Sequence, residues 1–134
     1  MPELPEVETI RRQLAPKLID AAIVDAGAHW SAKFTPALDA VGTEIVGARR
    51  RGKYLLFDLD PGADGGPPRE LVVHLGMTGR LAVHEPGSAL ALDDLGTEPH
   101  LRAWWRLDDD RVLTFHDIRR FGRIHVVDSG DYRD

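Results

Sequence analysis

Apolar residues at Val7, Ile10, Leu14 and Leu18 recur at the spacing of a helix, so one stripe near the start of the chain is predicted to be buried. Pro5 suits the first turn of that helix, where a missing backbone N–H costs nothing, and Pro16 marks its expected break. From Ile19 onward the pattern changes to short alternating or apolar segments punctuated by Gly, Pro and Asp. Strands are predicted near residues 19–28, 43–51, 53–59, 71–75, 80–84, 101–107, 112–116 and 123–127, with a short helix over 35–41. Alternation turns Leu55, Phe57 and Leu59 to one side and sets Leu101, Ala103, Trp105 and Leu107 in a second inward row. The predicted fold is mainly β: a two-sheet antiparallel β-sandwich of about eight strands with an N-terminal α-helix.

Composition narrows this reading without changing it. A chain of 134 residues is expected to form one domain that buries about two thirds of its unfolded surface. The stretches 61–68 and 85–99 read as loops rather than domain boundaries, 129–134 reads as linker-like, and there is no internal repeat. No apolar run approaches the roughly 18 residues needed to cross a membrane, and no basic, apolar and small-residue series opens the chain. A soluble, cytoplasmic monomer without a membrane partner is the expectation. The absence of cysteine excludes disulfides and thiolate metal sites, and the histidines at 29, 84, 116 and 125 lack metal-ligand spacing.

A net charge of −5 does not by itself announce a nucleic-acid partner. Its distribution is more informative. Acidic residues gather at Asp93-Asp94, Asp108-Asp109-Asp110 and between Asp128 and Asp134, whereas basic residues gather at Arg49-Arg50-Arg51-Gly52-Lys53 and Arg119-Arg120-Phe121-Gly122-Arg123. Each basic cluster alone reads as a solvated strand edge. Together they can form one phosphate-binding face on an otherwise acidic body.

The first residues carry candidate chemistry. Removal of Met1 exposes the secondary amine of Pro2, beside the carboxylates of Glu3, Glu6 and Glu8. An α-amino group titrates near pH 8, so a useful fraction is nucleophilic at neutral pH, and a neighbouring carboxylic acid can supply protons to an opening sugar ring. With Met1 retained, the Pro2 nitrogen is a tertiary amide and cannot attack. The same acidic residues would also suit an ordinary first helical turn.

Four ordered blocks then supply a resemblance. Met-Pro-Glu-Leu-Pro-Glu-Val-Glu-Thr-Ile-Arg-Arg at 1–12, Arg-Arg-Gly-Lys-Tyr-Leu-Leu at 50–56, His-Leu-Gly-Met-Thr-Gly at 74–79 and Asp-Ile-Arg-Arg-Phe-Gly at 117–122 resemble the formamidopyrimidine-DNA glycosylases of the Fpg/Nei family. The similarity runs through essentially all of the chain and corresponds to the amino-terminal half of a family member. It implies a base-excision repair enzyme acting on oxidised purines in double-stranded DNA, with Pro2 as Schiff-base nucleophile, Glu3 as the acid aiding ring opening, Glu6 in support, and Lys53 near the lesion phosphate with a part in β-elimination. It further implies that His74 contacts phosphate, that Met77, Arg119 and Phe121 fill the space of an extruded base, and that His100 stands for a histidine pair of which one member survives. Lying in Gly76-Met77-Thr78-Gly79, Met77 is expected at a hairpin tip; without the resemblance, Met77 and Phe121 would read as core residues and Lys53 as an edge charge.

The family's second half, a helix-two-turns-helix motif and usually a four-cysteine zinc ribbon, has no counterpart within 1–134, so no cofactor is expected in this chain and weak activity is expected of it alone. Leu4, the Gly-Met-Thr-Gly turn and the Arg-Arg-Phe-Gly block favour the formamidopyrimidine type over the endonuclease VIII type. A non-catalytic β-sandwich contact module is the alternative. Proton shuttling by an N-terminal proline on a keto acid is a third reading, one that leaves the basic and wedge motifs unexplained.

Overall fold

The computed structural model describes residues 4–62, 66–86 and 100–129. Pro2 and Glu3 lie outside them, as do parts of the two loops predicted at 61–68 and 85–99 and nearly all of the 129–134 tail. Helix α1 spans Leu4–Leu18, with Val7, Leu14 and Leu18 buried and Ile10 packed beside them, as the apolar stripe requires. Pro16 does not break this helix. It stands on the exposed face, the carbonyl that loses a partner belongs to exposed Arg12, and the ladder resumes when the Ile19 N–H donates to the Ala15 carbonyl at 3.0 Å. The helix ends where Asp20 takes a left-handed φ of 76°.

Eight strands follow: β1 (Ile23–Ala28), β2 (Glu44–Arg51), β3 (Tyr54–Asp60), β4 (Arg69–His74), β5 (Arg80–His84), β6 (Leu101–Leu107), β7 (Val112–His116) and β8 (Arg123–Asp128). They form two antiparallel four-stranded sheets, ordered β2-β3-β4-β8 and β1-β6-β7-β5. The first strand is shorter than its apolar pattern suggests, because residues 19–22 are used to leave the helix and only Ala22 makes an isolated bridge, to Glu44. The predicted short helix is a 3₁₀ helix, Thr35–Ala40.

Between the sheets lie Leu55, Phe57 and Leu59 of β3, Leu71 and Val73 of β4, Ala103, Trp105 and Leu107 of β6, and Leu113 and Phe115 of β7. Leu101 is buried but stands apart from this cluster, since a bulge between Leu101 and Ala103 breaks the alternation that the row assumed. Each open side of the sandwich has its own cover. Helix α1 packs against edge strands β2 and β5, and the 3₁₀ helix packs against β1 and β8 on the opposite side. Trp105 joins the second cover to the core: its indole N–H donates to the Ala37 carbonyl at 3.0 Å while the ring is fully buried.

The register sets the direction of every element. Pairings Arg51↔Tyr54, Tyr54↔His74 and His74↔Arg123 define one end of the first sheet, and Arg80↔His116 and Leu101↔His116 define one end of the second. Because β4 runs into β5 and β7 into β8 across the gap between sheets, these are the same end of the molecule. Helix α1 is oriented by its contacts at the other end, where Arg111 of the β6–β7 turn donates to the Lys17 carbonyl at 2.7 Å. Its N-terminus therefore points toward the crossover end. Among the described residues no helix is long and apolar enough to cross a membrane.

Trp105→Phe should lower stability by about 1–3 kcal/mol by leaving the buried Ala37 carbonyl unpaired, and Trp105→Ala by about 3–5 kcal/mol because a cavity is added. Equilibrium denaturation of both variants measures the difference.

Candidate functional site

At the crossover end, the turn at residues 75–79 leads from β4 into β5 and the loop at 117–122 leads from β7 into β8. Sequence pattern suggested a hairpin tip for Met77, but its flanking strands belong to different sheets, so this turn is a bridge between layers. The two connections are fastened by one buried carboxylate. Asp117 Oδ1 accepts from the Thr78 hydroxyl at 2.7 Å and Oδ2 accepts from the Gly122 N–H at 2.8 Å. Thr78 Oγ1 in turn accepts from the Arg119 N–H at 3.0 Å. The Asp117 backbone is held as well, its N–H donating to the His100 carbonyl at 2.8 Å and its carbonyl accepting from Arg102 Nε at 2.8 Å.

The turn and loop touch through backbone. Gly76 has φ +62°, and a Cβ there would lie 2.6 Å from the Gly122 nitrogen and 2.7 Å from the Phe121 carbonyl carbon. Only glycine fits both the left-handed conformation and the gap. Arg120, in the second of these connections, also holds a positive φ of 58°, and His100, just before β6, one of 69°. Strained non-glycine backbone of this kind persists where the surroundings over-determine it. For Arg120 the constraint is the Lys33 ammonium, which donates to the Arg120 carbonyl at 2.8 Å.

Bound this tightly at their bases, the connections turn apolar side chains outward. Met77 is 43%, Phe121 52% and Ile118 55% exposed. The Arg119 guanidinium reaches Met77, with Nη1 3.9 Å from the sulfur. The structure thus brings together three of the predicted residues, Met77, Arg119 and Phe121. Ile118 and the Asp117–Thr78 fastening were not singled out from sequence. A short acidic residue at the start of one turn, bonded to a threonine in the other, is a signal that only the strand crossover makes readable.

His74 ends β4 beneath this turn. Its ring lies 4.7 Å from that of Tyr54, and Nδ1 accepts the Gly76 N–H at 3.1 Å. Burial, then the charges of Lys53 and Arg123, press its pKa below the ordinary histidine value, with Asp117 opposing. The ring is therefore neutral at neutral pH, and the Gly76 bond leaves the proton on Nε2 as a donor. Lys53 does not open β3 as expected but sits in the two-residue turn Gly52-Lys53 between Arg51 and Tyr54, at the same end. Glu6 is exposed in the first turn of α1, and His100 is exposed just before β6.

The helix is moored near this end. Glu8 accepts from Arg11 at 2.8 and 2.7 Å, from Arg12 at 2.9 Å and from Arg50 of β2 at 3.4 Å. Those hydrogen bonds, Arg11's above all, outweigh desolvation and hold its carboxyl down at about 2. Arg49 is likewise engaged, 2.8 Å from Asp58 and 2.6 Å from Glu70. The first basic cluster is thus split: Arg49 and Arg50 bind the fold, and the cationic face at this end is drawn from Lys33, Lys53, Arg119, Arg120 and Arg123. A cleft of about 350 Å³ between α1 and β5, lined by Ile10, Arg80, Leu81, Ala82, His84 and His116, contains none of the predicted site residues. Among the described residues, no group of three or more His, Asp or Glu side chains is placed to hold a metal ion.

A family model for the formamidopyrimidine-DNA glycosylase N-terminal domain matches residues 1–124. The chain belongs to this family. A formamidopyrimidine-DNA glycosylase of Chloroflexus aggregans is 43% identical over 135 residues, covering 96% of the chain and 44% of that protein. The crystal structure of the MutM (Fpg) protein of Thermus thermophilus matches with a TM-score of 0.75 and 41% identity, covering 98% of the chain and 42% of its own. A Lactococcus lactis Fpg (MutM) complex with DNA containing FAPY-dG matches with a TM-score of 0.75 and 28% identity, covering 95% of the chain and 44% of its own. The formamidopyrimidine-DNA glycosylase fold is thus present here as its N-terminal domain, and the chain spans less than half the length of the curated relatives it matches.

Two outcomes test this geometry. Asp117→Asn cannot accept at both of its oxygen positions, so one donor is stranded. Stability should fall by about 1–3 kcal/mol, and the Arg119 and Gly122 amides should exchange faster in hydrogen-exchange NMR. For His74, a folded pKa below the unfolded one means that its contribution is present above about pH 6.5 and is lost as pH falls through the folded value. An NMR titration should give a His74 midpoint below about 6.5, with the Gly76 amide shifting in step.

Proposed function

We propose that this chain is the catalytic domain of a base-excision repair DNA glycosylase and abasic-site lyase that acts on oxidised purines, formamidopyrimidines and 8-oxoguanine, in duplex DNA. The observation that carries this reading is convergence. The N-terminal end of α1, the Lys53 turn, His74 and the exposed Met77, Arg119 and Phe121 all gather at one end of the sandwich, though they are scattered over most of the sequence.

A base stacked inside a duplex cannot be reached, so it must be extruded, and its place must be filled to offset lost stacking. Met77 and Phe121 present apolar surface for that purpose on rigid stems, and Arg119 adds a planar cation. Neutral His74 offers an N–H, and Lys53 a charge, to the phosphates that flank the extruded nucleotide.

The chemistry starts from Pro2 once Met1 is removed. The secondary amine attacks C1′, the C1′–N9 bond breaks, and the base leaves with a proton. Glu3 protonates O4′ as the sugar ring opens, which leaves an iminium ion between Pro2 and C1′. Glu6, in the first helical turn, supports this site electrostatically. Loss of a C2′ proton expels the 3′ phosphate, δ-elimination releases the 5′ phosphate, and hydrolysis of the iminium restores the amine. Lys53 assists the eliminations by binding the departing phosphate.

Borohydride reduction in the presence of abasic-site DNA should trap a covalent adduct whose mass equals the Met1-processed polypeptide plus the DNA sugar fragment. Glu3→Gln should slow excision by roughly 10²–10⁴-fold, as expected for loss of a general acid. The form retaining Met1 should give no adduct. If the processed, complete polypeptide also gives none while still binding DNA in a salt-sensitive manner, the non-catalytic contact module is the better reading.

A further inference from the structure

Trp30 is the most exposed large apolar side chain described, at 84%, and it lies in the connection leaving β1, apart from the residues of the candidate site. An indole in that position is usually mobile. Here it is seated at the end of a line of rings. Trp30 stacks on His29 with centroids 5.6 Å apart and planes 26° from parallel, His29 meets buried Phe34 edge-on at 6.2 Å, and Phe34 touches buried Phe115 at 6.1 Å. Trp30 is thus the exposed outer end of a line of rings that reaches the core of the sandwich.

This connection is also fastened to the loop that carries Arg119 and Phe121. Besides the Lys33 bond to the Arg120 carbonyl, the Ile124 N–H donates to the Lys33 carbonyl at 2.9 Å. His29 donates its own N–H to the Arg102 carbonyl at 2.7 Å, and Arg102 in turn holds the Asp117 carbonyl. The charges of Arg120 and Arg102 are close enough to His29 to reinforce burial in lowering its pKa. An open aromatic face in the connection that carries Lys33 and is tied to Arg120 combines the two elements by which proteins hold unstacked nucleic acid: a π surface for the nucleoside and cations for its phosphates.

We propose that Trp30 is a second nucleic-acid contact of this domain, an aromatic platform that packs on a nucleoside of the DNA beside the lesion while Lys33 and Arg120 hold the adjoining phosphates. The inference rests on the DNA-binding part of the proposed function and extends the interface beyond Met77, Arg119 and Phe121. It commits to DNA because the surface around the ring is cationic, and DNA offers this surface both a π face and a regular row of phosphates.

The test uses the complete translated protein and a duplex bearing a tetrahydrofuran abasic-site analogue. Trp30→Ala should weaken binding about tenfold, within the range of base–aromatic stacking, whereas Trp30→Phe should keep most of the affinity. The slope of log K against log salt should be unchanged in Trp30→Ala but shallower by about one in Lys33→Ala, since only the latter removes a phosphate contact. In the wild type, tryptophan emission should be quenched on binding, and that quenching should be lost in Trp30→Ala. Wild-type binding with Trp30→Ala within about twofold and no quenching would overturn the platform and leave the lesion-site reading intact. Concentration-dependent self-association abolished by Trp30→Ala, with DNA affinity unchanged, would assign the ring to a protein contact instead. No binding by the wild type would remove both readings together.

Discussion

The Asp117 carboxylate is the constraint on which the crossover end depends. Two chain crossings between sheets must lie side by side, each with donors that no strand partner satisfies, and a single buried side chain accepts one from each. A buried carboxylate is costly unless fully hydrogen-bonded. Its cost is offset here by fixing relative positions that packing alone would leave loose. Gly76 and Gly122 then close the remaining gap by bringing backbone against backbone. The outcome is that apolar tips can protrude into solvent without collapsing onto the core, because their bases have no freedom to move.

The architecture was legible because alternation is a local property. Rows such as Ala103, Trp105 and Leu107 declare their inward face without knowledge of any partner, and five-residue strands like β5 and β7 are bounded by plain turn residues. Pro16 misled because a proline's effect depends on whether the orphaned carbonyl is exposed, which is a tertiary fact. The assignment of Met77 to a hairpin tip failed for a related reason. A Gly-containing turn between two strands looks the same whether those strands pair with each other or belong to different sheets, and here β4 and β5 separate.

The site was legible to different degrees for similar reasons. Met77, Arg119 and Phe121 stood out through the resemblance of their motifs, and the crossovers bring them together. The basic run at 49–53 could not be divided by inspection, since nothing local says that Arg49 turns to Asp58 and Glu70, or that Arg50 turns to Glu8 on the helix. Trp30 carries no motif at all. Its meaning comes only from the rings beneath it and from the loop to which its neighbour Lys33 is tied.

Net charge is a poor guide to the local surface for a physical reason that the fold exposes. Asp20, Glu44, Asp60, Asp108, Asp109, Asp110 and Asp128 all fall at the end opposite the crossovers, accompanied by Lys17, Arg69 and Arg111, while Lys33, Lys53, Arg119, Arg120 and Arg123 fall at the crossover end. Strands of five to eight residues separate the two ends by roughly 17–26 Å. That exceeds the Debye length of about 8 Å at physiological ionic strength, so exposed acids at the far end are screened from a phosphate at the near end. Among the described residues, these charges thus lie on two surfaces that a bound anion does not sense equally. The described acids at the far end repel a polyanion there, while these cations lie at the end where the exposed apolar tips of Met77 and Phe121 are presented.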